Sequence, residues 1–243
     1  MNILVACEES QTVASAFRER GHNAFSCDLK ECSGGHPEYH IIADVIPLLN
    51  GGCTFYTSDG DLHCISGKWD LIIAHPPCTY LTRAGVRWFN VEKYGINAVQ
   101  RYSERAVALD FFMQFVHCNC DHVCIENPVG YVSTAYRKPD QIIHPYMFCS
   151  SETDPDYQLK ETCLWLRGLP LLSRSSYLPK PCYDKYFSNA NGIYKSKSWV
   201  LMNRSAVIRS KTFSSVAAAM AHQWNDLDSF IDWDNRQIKF DLP

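Results

Sequence analysis

The chain has 243 residues, of which 46% are hydrophobic and 20% are charged, so it can bury one large core, with or without a small satellite domain. Its 23 Lys and Arg residues against 26 Asp and Glu residues argue against capture of a polyanion by overall charge. An aromatic content of 13% excludes low-complexity disorder, and the sequence contains no apolar run long enough to span a membrane.

The N-terminus and the cysteines predict the cellular compartment. Residues 1–6 have no basic leader and no cleavage pattern, so no signal peptide is expected. Twelve cysteines in 243 residues fall short of the density of a small disulfide scaffold. We therefore expect a cytoplasmic protein with reduced thiols.

In chain order, short apolar runs alternate with stretches of helical spacing. Strands are predicted at residues 3–7, 23–29, 39–43, 69–74, 122–126 and 163–166. Helices are predicted at residues 11–20, 97–118 and 214–224, and an inserted hairpin at 50–68 around Asp59-Gly60. This alternation predicts an α/β fold with a doubly wound, mostly parallel sheet, in which ligands bind at the carboxyl ends of the strands.

The pattern along the chain divides it into an α/β core at residues 1–169, a small irregular basic segment at 170–211, and a C-terminal region at 212–243. The C-terminal region combines a helix that returns to the core with an acidic tail. Residues 170–215 contain eight basic residues and one acidic residue, and they are rich in tyrosine. Such a segment suits nucleic acid, with Lys195 and Lys197 on phosphates and rings stacked on bases; a solvated loop layer is the alternative.

Acidic residues follow the second and third predicted strands. Asp28 is placed to accept hydrogen bonds from both hydroxyls of a cofactor ribose, and Asp44 to accept one from an adenine amino group. The alternative is that both side chains only cap neighbouring helices.

Two further motifs follow the fourth and fifth strands. Pro76-Pro77-Cys78 forms a rigid turn that presents a thiol, a strong nucleophile even when partly ionised. Glu126-Asn127-Pro128 places a carboxyl in the same crevice, where burial is expected to raise its pKa. Together they suit a thiolate that attacks carbon 6 of a pyrimidine while the acid bonds ring nitrogen 3. Singly, each motif is also compatible with a structural turn.

These motifs resemble those of the DNA cytosine-5 methyltransferases, especially the short phage- and prophage-type members, over residues 1–170 and 204–224. Pro77-Cys78 matches the family's Pro-Cys nucleophile motif, and Glu126-Asn127-Pro128 matches its Glu-Asn-Val motif. The resemblance implies the methyltransferase type of sheet, S-adenosylmethionine as cofactor, and DNA as partner, either a duplex with a flipped base or a single strand. It assigns catalysis to Cys78 and Glu126, and substrate contacts to Pro77 and Asn127.

The cofactor elements depart from the family pattern. Where the family has Phe-x-Gly-x-Gly, residues 7–11 read CEESQ, and these side chains are expected to crowd the methionine end of the cofactor. Ser214-Ser215 replaces a Gly-Asn pair in the C-terminal element that resembles the family's return to the cofactor, and no Gln-x-Arg-x-Arg motif is found. The cofactor-binding set that the resemblance implies is Cys7, Glu8, Glu9, Ser10, Asp28, Asp44, His75 and Ser215.

Two competing signals are present. Residues 75–78 also imitate the Pro-Pro motif of amino methyltransferases, in which Tyr80 would stack on the base. Residues 117–124 hold His and Cys side chains that suggest zinc, but no Cys-x-x-Cys pair is present, so no metal is expected.

The sequence therefore predicts an enzyme that methylates carbon 5 of cytosine in DNA through a Cys78 adduct at carbon 6. One alternative is the same chemistry on a free cytosine nucleotide or RNA. The other is a non-catalytic nucleic-acid-binding protein that keeps the fold. No membrane partner is expected, and the oligomeric state is left open.

Overall fold

The computed structural model describes residues 1–182 and 211–227, and between them the backbone of two short strands. Lys197 and the acidic tail lie outside the described residues, and Lys195 is placed by its backbone alone. What the basic segment was predicted to do therefore stays a prediction.

The chain forms eleven strands within the described residues. They are β1 (Asn2–Ala6), β2 (Asn23–Asp28), β3 (His40–Ile42), β4 (Cys53–Tyr56), β5 (Leu62–Ile65), β6 (Leu71–Ala74), β7 (Val123–Pro128), β8 (Gln141–Ile143), β9 (Thr162–Arg167), β10 (Tyr186–Phe187) and β11 (Tyr194–Lys195). Seven of them build one sheet in the order β3-β2-β1-β6-β7-β9-β8. The first five in this order are parallel, and β9 is antiparallel to both of its neighbours. The predicted α/β class with a mostly parallel sheet is confirmed.

Five α-helices occur in the described residues: α1 (Thr12–Arg18), α2 (Val91–Tyr94), α3 (Ile96–His117), α4 (Val132–Ala135) and α5 (Ser214–Gln223). Short 3-10 helices lie at Pro37–Tyr39, Ile46–Leu48, Arg83–Phe89 and Pro145–Met147. The three helices predicted from apolar spacing are present. The short elements carry too few residues for a periodic signal. No helix in the described parts of the chain is both long and apolar enough to cross a bilayer.

Alternation along the strands divides the core between the two faces of the sheet. Leu4 points to the face covered by α3, where Phe112 is fully buried. Val5 points to the opposite face, where it meets Phe17 of α1 and Met220 of α5. Each such side chain stabilises the fold by ~1.5–3 kcal/mol when it is fully buried.

The predicted hairpin is present as β4 and β5, which pair antiparallel. Its turn closes through the N–H of Thr57, which donates to the oxygen of Asp61 at 3.0 Å, and Gly60 takes a φ of +98° that favours glycine. Phe55 stacks on Trp69 with ring centroids 6.2 Å apart, so the hairpin covers one face of the sheet.

The connections reverse direction at β1. From β1 the chain proceeds to β2 and β3 on one side, whereas β6 and β7 lie on the other side. In open α/β sheets this reversal opens a crevice at the carboxyl ends of the strands. Ala6, the last residue of β1, pairs with Cys27 on one side and Ala74 on the other, so the residues after all three strands meet at one edge.

Candidate active site

The turn after β6 presents the candidate nucleophile. Asn127 Nδ2 donates to the carbonyl oxygen of Pro76 at 2.9 Å, and this buried hydrogen bond ties the turn to β7. Beyond it, the oxygen of Cys78 accepts from the N–H of Leu81 at 3.0 Å and of Thr82 at 2.9 Å. Cys78 is thus half-buried at the start of a tight turn, next to the end of the neighbouring strand.

The thiol of Cys78 is influenced by its surroundings in opposite directions. Burial raises its pKa, the charge of Glu126 raises it further, and the charge of Lys160 lowers it, with a net rise. The thiol is therefore protonated at neutral pH in the free protein. Cys78 follows β6 and Glu126 lies in the parallel neighbour β7, so the two predicted catalytic side chains belong to the same edge of the sheet.

Glu126 is paired with a histidine. His75 Nδ1 lies 3.4 Å from Glu126 Oε2, with the side chains only 9% and 20% exposed. Burial raises the pKa of Glu126, but the hydrogen bond and charge of His75, together with the charge of Lys160, outweigh burial and leave that pKa below its usual value. The expectation that the pKa of Glu126 is raised was wrong, because the sequence did not show which residues would face this carboxyl.

Two buried polar atoms of this cluster have no hydrogen-bond partner among the described residues. They are His75 Nε2 and Asn127 Oδ1. Leaving such an atom unsatisfied costs ~1–3 kcal/mol, so it marks a place where a ligand or water completes the structure. His75, predicted only as a cofactor contact, thus belongs at least equally to the catalytic cluster.

The segment after Cys78 is joined to the segment after Glu126. The N–H of Arg83 donates to the oxygen of Val129 at 3.0 Å, and the N–H of Tyr131 donates to the oxygen of Leu81 at 2.7 Å. Between these bonds, a β-carbon at Gly130 would collide with the carbonyl oxygen of Leu81. Only glycine allows the two backbones to approach this closely.

The loop after β1 begins with an inward-facing carboxylate. Glu8 is buried, and its two oxygens accept from the N–H groups of Val13 at 2.6 Å and Ala14 at 3.2 Å. It therefore satisfies the first turn of α1. Burial raises the pKa of Glu8, although His75 and these hydrogen bonds act in the opposite direction. The predicted contact of Glu8 with a cofactor stays a prediction, and in the structure both of its oxygens are engaged by α1.

The same loop takes glycine-like backbone angles without glycine. Cys7 and Gln11 have φ values of +59° and +58°, a region that costs an L-residue roughly 1–2 kcal/mol. Gln11 offsets this cost by donating to and accepting from the backbone of His36 at 2.8 and 3.0 Å. Ser10 accepts from the hydroxyl of Thr12 at 3.0 Å, so the side chains of Ser10 and Gln11 also turn to the protein itself and not into the crevice.

The acids after β2 and β3 converge on Cys7. Burial raises the pKa of Cys7 well above its usual range, and Asp28 and Asp44 both add to that rise. Each acid also makes the local bond that the structural alternative predicts: Asp28 Oδ1 accepts from the N–H of Lys30 at 3.1 Å, and Asp44 Oδ1 from that of Ile46 at 3.0 Å. The local bonds do not exclude the predicted cofactor contacts, because each bond engages only one of the two oxygens of its carboxylate.

The C-terminal element lies behind α1 and reaches the first loop. The N–H of Ser215 donates to Asp156 Oδ2 at 2.8 Å, and the hydroxyl of Ser214 donates to the same oxygen at 2.9 Å, so a buried acid caps α5. Lys211 Nζ approaches Glu9 Oε1 at 3.8 Å. The backbone of Ser215 therefore serves the helix end, and Lys211 makes the link to the loop after β1.

One residue of the candidate site, Lys160, was not predicted from the sequence. Lys160 acts on both Cys78 and Glu126, but it precedes β9 in an irregular segment that gives no motif. The role of Glu8 was detectable, since an acid just before a helix is a recognised N-terminal signal. Pro77, predicted as a substrate contact, is exposed beside Cys78.

The three cysteines among the residues that suggested zinc belong to the core. The thiol of Cys118 donates to the oxygen of Phe115 at 3.1 Å, and that of Cys120 to the oxygen of Trp69 at 3.2 Å. Cys124 is fully buried in β7. Within the described ranges, no three His, Cys, Asp or Glu side chains form a group that could hold a metal ion.

In comparisons with known proteins, the chain matches no family model, and no curated protein sequence matches it significantly. The chemistry of the site has to be deduced from its own residues.

Proposed function

We propose that the protein transfers a methyl group from S-adenosylmethionine to carbon 5 of cytosine in DNA. The observation that carries this proposal is the juxtaposition of Cys78 and Glu126 at the ends of two neighbouring parallel strands, with His75 on the carboxylate. A nucleophile beside a carboxyl that is itself hydrogen-bonded suits a reaction in which charge builds up on a pyrimidine ring.

In this reaction the sulfur of Cys78 bonds to carbon 6 of the flipped base, and the electron pair of the 5,6 double bond becomes nucleophilic at carbon 5. Carbon 5 would take the methyl group as the methyl–sulfur bond of the cofactor breaks and the cofactor leaves as a neutral thioether, and carbon 5 would then lose its proton to a base. The carbon–sulfur bond breaks in the same step, and the double bond re-forms. The raised pKa of Cys78 means that its proton must leave the thiol when the substrate binds.

Glu126 acts together with His75. Because the pKa of Glu126 is lowered, its carboxylate is ionised in the free protein and accepts a hydrogen bond from the exocyclic amine of cytosine. Glu126 Oε2 lies 3.4 Å from His75 Nδ1, and this carboxylate can pass the proton released by the Cys78 thiol to ring nitrogen 3. The transfer stabilises charge that appears during thiol addition.

The residues around the end of β1 fit the proposed cofactor. Asp28 and Asp44 offer carboxylates for ribose and adenine, because each uses one oxygen locally. The side chains of Glu8 and Gln11 are both engaged with the protein's own backbone. When bound there, the cofactor supplies an electrophilic methyl group. The sheet is parallel except for β9, which lies beside β7, and this topology is compatible with the methyltransferase type of fold. The methyltransferase type and a cytoplasmic location are both part of the proposal.

Nucleoside analysis tests the proposal. DNA incubated with the protein and cofactor is digested, and methylated nucleosides are identified by mass and retention, with the Cys78→Ser variant as matched control. We expect 5-methylcytosine from the native protein alone. Cytosine methylated on its amino nitrogen would refute the adduct mechanism. Methylation of RNA or of a free nucleotide, but not of DNA, would refute DNA as the substrate. Absence of S-adenosylmethionine binding by calorimetry would refute the proposal that the protein is a methyltransferase.

A further inference from the structure

We propose that a pocket beside Cys78, formed by Tyr80, Trp88 and Tyr94 against α3, binds an unpaired base next to the target cytosine. The protein would then act on single-stranded DNA. This inference rests on the proposed function, and it assigns substrate binding to residues that the methyltransferase motifs do not include.

The pocket lies where the chain leaves the catalytic turn. It has a volume of about 340 Å³, enough for one small planar ligand. Tyr80 comes two residues after Cys78 and lies inside the turn that the Cys78 carbonyl closes. A base in this pocket is therefore a near neighbour of a base held at the thiol.

Aromatic faces line one side of the pocket. Trp88 is 40% exposed, which is unusual for such a large apolar side chain. Its ring centroid is 5.0 Å from that of Tyr94, and the rings are tilted by 46°, so they do not stack on each other. Stacking of a base on an aromatic ring contributes ~1–3 kcal/mol, and it needs a base face that a duplex keeps covered.

Polar groups of α3 line the other side. Asn97, Arg101 and Glu104 follow the helical spacing that places side chains on one face. Together they offer donors and acceptors for a base edge. The guanidinium carbon of Arg101 lies 4.9 Å from the ring centre of Tyr80, and its buried Nε has no hydrogen-bond partner within the described residues. This orphaned donor points to a missing acceptor.

The surroundings are basic. Residues 83–105 contain five basic and two acidic residues, although the whole chain carries a net charge of −3. The guanidinium carbon of Arg87 lies 4.8 Å from the ring centre of Trp88, and Lys93 Nζ lies 5.4 Å from that of Tyr94. Cations beside exposed rings suit a strand whose phosphates and bases are both contacted.

Binding of short labelled cytosine oligonucleotides, single-stranded and as the matched duplex, tests the pocket. We expect Trp88→Ala to weaken single-strand binding by roughly 5- to 150-fold and duplex binding far less, with most affinity restored by Trp88→Phe. Tyr56→Ala removes a still more exposed aromatic side chain on the hairpin, so it is the control and should leave both affinities unchanged. A 2-aminopurine beside the target should lose its stacking-dependent quenching in Trp88→Ala.

Equal single-strand affinity of Trp88→Ala and native protein would overturn the pocket, as would an equal loss for duplex and single strand. If Trp88→Ala does not melt like the native protein, Tyr94→Ala replaces it with the same expectations. Trp88-dependent binding without any methylated cytosine would keep the pocket and refute the proposed function. If Trp88→Ala methylates cytosine in single-stranded DNA as well as the native protein does, the proposed pocket is refuted but the proposed function is not.

Discussion

Two carboxylates, Glu8 and Glu126, lie on opposite sides of the crevice and behave in opposite ways. Glu8 follows β1, gives both oxygens to the backbone of its own helix, and has a raised pKa. Glu126 lies near the end of β7, faces a histidine that follows the neighbouring strand β6, and has a lowered pKa. Burial and the charge of His75 act on both pKa values, and Glu126 differs in its hydrogen bond with His75 and in the nearby charge of Lys160.

The same contrast extends to the residues around each acid. On the β1 side, Asp28, Asp44 and Gln11 each bond to nearby backbone. On the β6 and β7 side, side chains face each other across strands and leave His75 Nε2 and Asn127 Oδ1 without described partners. The first side is largely self-sufficient, whereas the second depends on what binds there.

The largest effect is expected at Cys78. Cys78→Ser should abolish turnover while leaving the affinity for S-adenosylmethionine nearly unchanged, because a hydroxyl is far less ionised than a thiol. Methyl transfer and calorimetric cofactor binding check this. Retained methylation by the serine variant would remove the adduct and favour amino methylation.

Glu126→Gln should come next, slowing methylation by about 10²–10⁴-fold with little change in substrate affinity. Glutamine keeps the size and can donate a hydrogen bond, but it cannot transfer a proton. Single-turnover rates at saturating DNA measure the loss, and thermal unfolding serves as the control. Near-native rates, or a loss explained by melting, would make Glu126 a structural residue.

Glu8→Ala should affect the fold instead of the chemistry. Removing a helix-capping side chain costs ~0.5–2 kcal/mol, and 1 kcal/mol corresponds to about 2–4 °C in the Tm of a protein of this size. We expect a lower Tm and a near-native rate per folded molecule at low temperature. A large rate loss in fully folded Glu8→Ala would mean that this side of the crevice is not self-sufficient.

The smallest effect is expected in the pH dependence of stability. The raised pKa of Glu8 favours folding below the ordinary carboxyl value of 4.5, and this contribution is lost as pH rises through the folded pKa. The lowered pKa of Glu126 favours folding above 4.5, and this contribution is lost as pH falls. As pH rises, the Tm of Glu8→Gln should therefore rise relative to that of the native protein, and the Tm of Glu126→Gln should fall relative to it. Parallel curves would contradict the assigned shifts.

Periodic elements and local motifs could be predicted from the sequence, whereas partners across strands could not. The apolar spacing of 97–118 predicted α3 almost to its ends, and the chain order of strands predicted that the turn after β6 and the end of β7 are neighbours. Strand β8 has three residues and no readable pattern. The pKa of Glu126 depends on His75 and Lys160, which only the folded chain brings to it.

Gly130 has a consequence for how this chain can vary. It touches neither the thiol nor the carboxyl, yet any side chain there would separate the backbone behind Cys78 from the backbone behind Glu126. The cost of a substitution at this position therefore does not depend on the size or polarity of the new side chain, since even alanine collides with the carbonyl of Leu81. Many exposed positions at this edge of the sheet can accept substitutions, but at residue 130 the β-carbon that every other amino acid carries already collides with the backbone.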